Sequence, residues 1–136
     1  MSKNTEIIEY FNSQMVKCKK YDEQKNKKGK VRTIKGETVE QLTKMMIEKA
    51  WGNITKDSSR LRLEEHDKIS IMNEKNSNEF LKISQDIHVY IDDKFCISFE
   101  CKSYTEVAMY KRILTDCLLL SKNHPELKFF LIQLEN

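Results

Sequence analysis

Hydrophobic residues recur at three- and four-residue intervals in two stretches near the N-terminus, and this spacing predicts two amphipathic helices. The first stretch covers residues 4–18, and its apolar positions are Ile7, Ile8, Phe11, Met15 and Cys18. The second begins around Gly36, and its apolar positions are Val39, Leu42, Met45, Met46 and Ala50. Gly52 suits the left-handed position that follows a helix end, so the second helix is predicted to stop there.

The pattern is weaker between the second helix and residue 86. Residues 53–68 are polar and predict no regular element. Residues 69–72 are typical of a short strand, and residues 73–79 are typical of a polar loop. Only one strand is therefore predicted in this part of the chain.

Strict alternation of apolar and polar residues follows, and it predicts a β-hairpin. Ile87, Val89 and Ile91 lie on one face of the first strand. Asp92-Asp93 forms the turn, and the alternation resumes over residues 95–102. The apolar positions of this second strand are Phe95, Ile97, Phe99 and Cys101, and the positions of its polar face are Cys96, Ser98, Glu100 and Lys102. The hairpin is therefore predicted to bury one apolar face and to expose one face that carries carboxylates.

A strongly amphipathic helix and an apolar strand complete the pattern. Ser103-Tyr104-Thr105-Glu106 has the Ser-x-x-Glu form of a capping box, which predicts where this helix begins. Asn123-His124-Pro125 predicts its end, and residues 127–134 predict the last strand. The order is then helix, three strands, helix and strand, with an extra helix in front. It predicts an α/β fold with a central mixed β-sheet flanked by helices, because the last helix implies a parallel crossover.

Composition adds the expectation of a globular chain. Of the 136 residues, 39% are hydrophobic and 33% are charged, a profile that excludes a disordered chain and fits one domain over residues 1–136. No apolar run approaches the roughly 20 residues that span a bilayer, so no membrane partner is expected. The first residues lack the layout of a signal peptide, which predicts a cytoplasmic location and reduced cysteines. The cysteines form no CxxC pair and the histidines are scattered, so a zinc site is not expected.

Basic residues concentrate between Lys17 and Lys35. This segment holds nine basic and two acidic residues, a net charge of +7 within a chain whose net charge is +3. One interpretation is a segment that follows the phosphate backbone of a nucleic acid. The other is a flexible, solvated loop, and the segment by itself does not decide between the two.

Acidic and basic side chains share the polar face of the predicted hairpin. Glu100 and Lys102 are two residues apart on one strand, so their side chains project to the same side. Asp86 is predicted to begin the neighbouring strand, and its position in the alternation places its side chain on the same polar face. Two close carboxylates repel each other, and a hard divalent cation relieves that cost, while an adjacent lysine can orient the attacking water and help to deprotonate it. The pattern predicts metal-assisted hydrolysis of phosphodiesters.

Glu-x-Lys is a short pattern, and two further copies occur at Glu23 and Glu126. Those copies lie in a polar loop and just after a proline, whereas the copy at Glu100 lies inside an alternating strand. The alternative for this copy is a structural salt bridge between Glu100 and Lys102, with Asp86 as a turn residue. The strand context of the copy at Glu100 favours a catalytic site.

Asp86, the 13 residues between it and Glu100, and Glu100-Cys101-Lys102 resemble the signature of the PD-(D/E)xK nuclease superfamily, to which most type II restriction endonucleases belong. The predicted order of elements over residues 36–135 is also similar to the core of that family. The resemblance implies that the side chains of Asp86 and Glu100 and the backbone carbonyl of Cys101 hold Mg²⁺, for which Mn²⁺ can substitute. It also implies that Lys102 positions the attacking water.

Many members of that family carry a glutamate on the first core helix. Lys35-Gly36-x-x-Val39-Glu40 resembles this pattern and makes Glu40 the candidate, with Glu37 or a merely solvated helix face as the alternatives. Gln85 stands where the name of the motif has proline, a residue that family members often lack. His88 lies on the polar face and is more typical of a sheet residue than of a second base. Phosphate contacts and a solvated surface are both open for Tyr104, Lys111 and Arg112.

The resemblance implies a restriction-type endonuclease that cleaves double-stranded DNA. A repair, recombination or mobile-element nuclease of the same superfamily would share the metal site. A non-catalytic module that binds nucleic acid is the alternative from a different class, and the intact set of Asp86, Glu100 and Lys102 argues against it. The reading of bases would fall to residues 17–35 and the inter-strand loops, to a partner subunit of a homodimer, or to chain outside a truncated core.

Overall fold

The computed structural model describes residues 2–24, 28–73 and 76–135. The helices and strands of this part of the chain are α1 (Lys3–Asp22), α2 (Lys28–Ile54), β1 (Leu61–Glu65), β2 (Lys68–Asn73), β3 (Asn76–Ser84), β4 (Ile87–Ile91), β5 (Lys94–Lys102), α3 (Val107–Asn123) and β6 (Lys128–Gln133), with a 3₁₀ turn at Ser58–Arg60. No helix in these ranges is both long enough and apolar enough to cross a membrane.

The chain divides into two compact units. The first consists of Met1–Ser58, Cys101–Tyr104 and Ile132–Asn136, and the second of Ser59–Glu100 and Thr105–Leu131. The single endonuclease domain expected over residues 1–136 stays a prediction.

The two N-terminal helices belong to the first unit and are longer than the apolar pattern predicts. α1 begins after Ser2, whose hydroxyl accepts a hydrogen bond from the Thr5 backbone N–H (3.2 Å). It ends at Asp22, and α2 begins at Lys28, so both helices extend into the basic segment of residues 17–35. Lysine is a good helix former, which explains why the helices continue where the apolar periodicity has ended.

The end of α2 predicted at Trp51-Gly52-Asn53 falls one residue short of the observed end, but the left-handed conformation predicted for Gly52 is wrong. None of the glycines has a positive φ, and α2 continues to Ile54. The Thr55 N–H bonds to the Trp51 carbonyl (3.0 Å), so the helical pattern of hydrogen bonds passes the glycine. The Trp51 indole N–H donates to the Asp57 carbonyl (2.9 Å) and fixes the chain just after the helix. A glycine weakens a helix by about 1 kcal/mol but does not by itself end it.

Four strands form the main sheet in the order β1-β4-β5-β6. β1 pairs antiparallel with β4, and β4 pairs antiparallel with β5. At the end of β5 and β6 the Leu134 N–H bonds to the Lys102 carbonyl (3.1 Å). The following residues of the two segments are also bonded, from the Glu135 N–H to the Ser103 carbonyl (2.8 Å). Both partners advance along the sequence together, so the two segments run parallel. The predicted α/β class with a mixed sheet is confirmed at this level.

β2 and β3 form a separate two-stranded antiparallel sheet, which is inserted between β1 and β4. The strand predicted over residues 69–72 belongs to this insertion rather than to the main sheet. The polar loop predicted over residues 73–79 is wrong, because β3 begins at Asn76. The first strand of the main sheet is instead β1, which lies in the stretch that predicts no element. Charged side chains obscure the alternation of this edge strand.

A bulge in β5 changes the side on which Phe95 lies. The pairing of β4 with β5 shifts its register after Val89 and leaves Cys96 as an extra residue. Phe95 therefore does not lie on the apolar face predicted for it. Its ring packs against the rings of His88 (centroids 4.5 Å apart) and Tyr90 (5.2 Å).

α3 begins later than predicted. Its N-cap is Glu106, whose side chain makes no capping hydrogen bond, so the predicted capping box that starts at Ser103 is wrong. Ser103 continues the pairing with the chain after β6, which keeps it extended and outside the helix. α3 ends at Asn123 as predicted, and its Leu120 is fully buried. The core cluster around it consists of Leu120, Ile71, Ile83 and Leu127.

Candidate active site

The pairing of β4 with β5 brings two predicted metal ligands to the same end of the hairpin. Ile87, the first residue of β4, lies opposite Phe99. Asp86 directly precedes Ile87 and Glu100 directly follows Phe99, so both residues lie next to this pair.

The turn at the other end of the hairpin and the bulge at Cys96 together set this register. Asp92 and Asp93 have φ values of 51° and 63°, the left-handed conformation that a tight two-residue hairpin turn requires and that Asp tolerates. The Arg60 guanidinium holds the Asp92 carboxylate through two hydrogen bonds of 2.8 Å. The same hydrogen bonds lower the pKa of the Asp92 carboxyl below its usual value. A change in the length of this turn would shift Asp86 away from Glu100.

His66 is a neighbour of Asp86 that the sequence does not indicate. Its backbone N–H donates to the Asp86 carbonyl (3.1 Å), and its Nδ1 lies 3.6 Å from Asp86 Oδ1. Glu65 pairs with Ile87, and His66 and Asp86 lie directly beyond this last pair of β1 and β4. Since β1 is not predicted from the sequence, no spacing along the chain could have identified His66.

The face that carries Glu100 is buried, which contradicts the prediction of an exposed polar face. Glu100 is 7% exposed, Ser98 is 1% exposed and His88 is fully buried. Glu100 and Ser98 line a cavity of about 190 Å³, and α3 supplies much of its wall through Tyr110, Ile113, Leu114 and Cys117. The crossover that joins β5 to β6 thus places a helix over a face that looks solvent-exposed in the sequence.

Burial changes the electrostatics around Glu100. Burial of the Cys117 side chain, together with the negative charges of Asp116 and Glu100, raises the pKa of the Cys117 thiol. The thiol therefore remains neutral beside the carboxylate at neutral pH. A carboxylate in a site with little water attracts a cation more strongly than a carboxylate in bulk water does.

Cys101 and Lys102 follow Glu100 on β5. Cys101 is 4% exposed, and its Sγ lies 3.6 Å from Thr43 Oγ1 of α2 within the first unit. Lys102 is half-buried, and its carbonyl is bonded to the Leu134 N–H. Side chains alternate along the strand, so Lys102 and Glu100 share one face and Cys101 lies on the other.

Glu40 lies on α2 close to this end of β5. It is half-buried, whereas the alternative Glu37 is exposed. Glu40 precedes Thr43 by three residues, so both lie on the same face of α2, and Thr43 contacts Cys101. This placement favours Glu40 over Glu37 as the helix carboxylate.

The basic segment of residues 17–35 is helical over residues 17–22 and 28–35, with a turn and a bend at Glu23 and Gln24. Residues 25–27 and the Lys28 side chain lie outside the described part of the chain. Lys35 forms an ion pair with Glu135 (2.5 Å), and this hydrogen bond raises the pKa of Lys35. Three lysines near the end of α1 are exposed: Lys17, Lys19 and Lys20.

A small polar cavity lies beside Tyr104, for which phosphate contact and a solvated surface were both open. It has a volume of about 190 Å³ and is lined by Tyr104 and Ser103 together with Arg32 and Lys35 of α2. Asp22 and Glu135 also line it, so its two cations are balanced by two carboxylates. Lys111 and Arg112 are exposed on α3. Phosphate contact and a solvated surface both stay open for Tyr104, Lys111 and Arg112.

Comparison with known proteins supports a relationship to restriction endonucleases, and the mixed α/β structure is compatible with a restriction-endonuclease-like fold. The chain is similar to the type II restriction enzyme DdeI of Desulfomicrobium norvegicum, with 36% identity over 126 residues. The alignment covers 79% of this chain and 52% of the relative, so the chain spans about half the length of the curated relative it matches. No family model matches the chain, and no solved structure matches it.

Proposed function

We propose that the chain carries the catalytic core of a Mg²⁺-dependent endonuclease that cleaves double-stranded DNA, and that this enzyme is a type II restriction endonuclease. The observation that carries the proposal is that Asp86 and Glu100 lie at the same end of the hairpin of β4 and β5, with Lys102 two residues further along β5. The similarity to a type II restriction enzyme over most of the chain supports it. The proposed partners are double-stranded DNA and a second copy of the chain, and the proposed location is the cytoplasm.

The carboxylates of Asp86 and Glu100 and the backbone carbonyl of Cys101 are the proposed metal ligands. All three are hard oxygen donors, which Mg²⁺ prefers and Mn²⁺ also accepts. Two carboxylates held opposite each other repel, and the burial of Glu100 strengthens this repulsion unless a cation is present. A bound Mg²⁺ supplies charge neutralisation at the scissile phosphate and makes water more acidic.

The remaining polar residues have proposed roles around this ligand set. The Lys102 ammonium holds the attacking water in line with the phosphorus and lowers the cost of removing its proton. Glu40 adds a carboxylate from α2, and its position on the same face as Thr43 supports this role. The His66 N–H fixes the Asp86 main chain, and the His66 imidazole lies close enough to orient the Asp86 carboxylate.

Cleavage of plasmid DNA tests the function directly. The purified chain, with the Asp86→Asn and Asp93→Asn variants, is incubated with plasmid and Mg²⁺, and the cut sites are mapped. Asp93 is the matched control, because its carboxylate is exposed at the opposite end of the same hairpin and Asn tolerates its left-handed backbone. We expect the parent and Asp93→Asn to cut, and Asp86→Asn to be inactive.

The positions of the cuts separate the alternatives. Cuts at one recurring sequence support the restriction-type function. Cuts confined to branched or nicked DNA favour a repair, recombination or mobile-element nuclease. Absence of cleavage by the parent with any divalent metal would overturn the proposal that this chain is an enzyme and would favour a binding module or a truncated core.

A further inference from the structure

A buried hydrogen bond joins the residues on either side of Asp86. The Nε2–H of His88 donates to Oε1 of Gln85 over 2.8 Å. Gln85 is 2% exposed and His88 is fully buried, so water does not compete for this bond. The bond closes a loop of four residues, and Asp86 is inside it.

The main chain of Asp86 is held from a second direction as well. The His66 N–H donates to the Asp86 carbonyl from the neighbouring chain after β1. Asp86 precedes β4, so the strand ladder itself does not fix its conformation. A proline at position 85 would restrict the local backbone through its ring, whereas Gln85 restricts it through its side-chain hydrogen bond.

Gln85 also lies at the cavity that contains the second carboxylate. Gln85, Ser98 and Glu100 are the polar residues that line it, and the other lining residues are mostly apolar. Within the described chain, Nε2 of Gln85 and Oγ of Ser98 have no hydrogen-bond partner in the protein. Buried amide groups that lack a protein partner are usually satisfied by ordered water or a ligand.

We infer that Gln85 is a positioning residue for the carboxylate pair: its bond to His88 fixes Asp86 at the end of the hairpin where Glu100 lies, and its side chain lines the cavity of Glu100. The inference rests on the proposed metal site. Gln85 does not bind the metal in this arrangement, and acts by holding the Asp86 ligand in place. Loss of such an outer hydrogen bond typically weakens metal affinity by about 10- to 100-fold.

Amide hydrogen exchange tests, without metal or DNA, whether the Gln85–His88 hydrogen bond acts as an anchor for Asp86. Gln85→Met keeps the length and volume of the side chain but removes the acceptor for His88. The His66 N–H, which bonds to the Asp86 carbonyl, should exchange about tenfold faster or more in this variant. The Asp92 N–H bonds to the Arg60 carbonyl (2.9 Å) at the other end of β1 and β4, and its exchange rate should not change. Equal acceleration of both amides, or an unchanged His66, would show that the anchor does not act on Asp86.

Titration calorimetry with Mn²⁺ then tests the positioning role. The control is Ser121→Ala, which removes a partly buried hydrogen bond to the Cys117 carbonyl on α3 (2.7 Å). We expect Gln85→Met to weaken Mn²⁺ binding by about tenfold or more at a temperature where both variants are folded, and Ser121→Ala to leave it unchanged. Equal affinities in Gln85→Met and the parent would refute the role of Gln85. A parent that binds no Mn²⁺ would refute the metal site itself, and the exchange rates would still show whether the anchor exists.

Discussion

Replacement of Lys102 separates an enzyme from a binding module more sharply than any other single change. The Lys102→Ala variant keeps the backbone carbonyl that accepts from the Leu134 N–H, so the pairing of β5 with the chain after β6 does not depend on the lost side chain. Lys102 is half-buried, and its loss should cost about 1 kcal/mol of folding stability or less. The variant should therefore fold.

The size of the catalytic effect follows from the proposed role of the ammonium group. A positioned group that assists proton transfer typically contributes ~10²–10⁴ in rate. At about 1.4 kcal/mol for each tenfold, the barrier should rise by roughly 3–5 kcal/mol. Single-turnover cleavage of DNA measures this rate, and a binding assay on the same variant should show affinities for metal and DNA within a few-fold of the parent.

The same strand provides a matched control for this prediction. Lys94 lies at the opposite end of β5 and forms an exposed ion pair with Glu126 (2.7 Å). Lys94→Ala removes an identical side chain from the same strand and should cleave at the rate of the parent. If Lys102→Ala cleaves as fast as the parent, or Lys94→Ala is equally slow, then Lys102 does not have the proposed role.

Three further predictions follow from the site and its surroundings. Asp86→Ala should lose most of the Mg²⁺ or Mn²⁺ affinity in a calorimetric titration, and Ca²⁺ should bind the parent without supporting cleavage; unchanged metal binding would remove Asp86 from the ligand set. Replacement of the lysines within residues 25–28 by Gln should flatten the slope of log K against log salt for duplex DNA by about 0.9 per lost phosphate contact, whereas an unaltered slope would assign them to a solvated surface. Arg60 lowers the pKa of the Asp92 carboxyl in the folded protein below its unfolded value of 3.8. The stability that this ion pair gives to the turn is therefore complete above pH 3.8, and it is lost as the pH falls through the lower pKa of the folded state. Thermal melts between pH 2 and 6 should therefore show a smaller loss of stability with acid in Arg60→Ala than in the parent. The same dependence of stability on pH in both proteins would show that the Arg60–Asp92 pair does not stabilise the turn.

The hairpin of β4 and β5 could be predicted because its signals are local. Alternation over residues 87–91 and 95–102, with Asp92-Asp93 between them, specifies two strands and a tight turn through neighbouring residues alone. The length of that turn alone would place Asp86 level with Phe99, and the extra residue at Cys96 shifts the pairing by one residue toward Glu100. The bulge at Cys96 was missed, because an extra residue inside a strand leaves the average alternation almost unchanged.

The rest of the site depends on contacts between distant parts of the chain. His66 meets Asp86 only because β1, an edge strand with many charges, pairs with β4. Glu100 is buried only because α3 crosses over that face of the sheet. Propensity and periodicity describe one segment at a time, and neither carries information on which segment covers another.

The insertion of β2 and β3 has a consequence for how quickly the chain can fold. Twenty-one residues separate Glu65 from Ile87, which are the last residues of β1 and the first of β4. Once β2 and β3 have paired, from Lys68 with Ser84 onwards, only two residues on each side remain to be ordered. Closing an effective loop of four residues instead of 21 lowers the entropic cost by about 1.5 kcal/mol. A local hairpin that forms within microseconds would thus bring the carbonyl of Asp86 to the amide of His66 before the longer-range strands assemble.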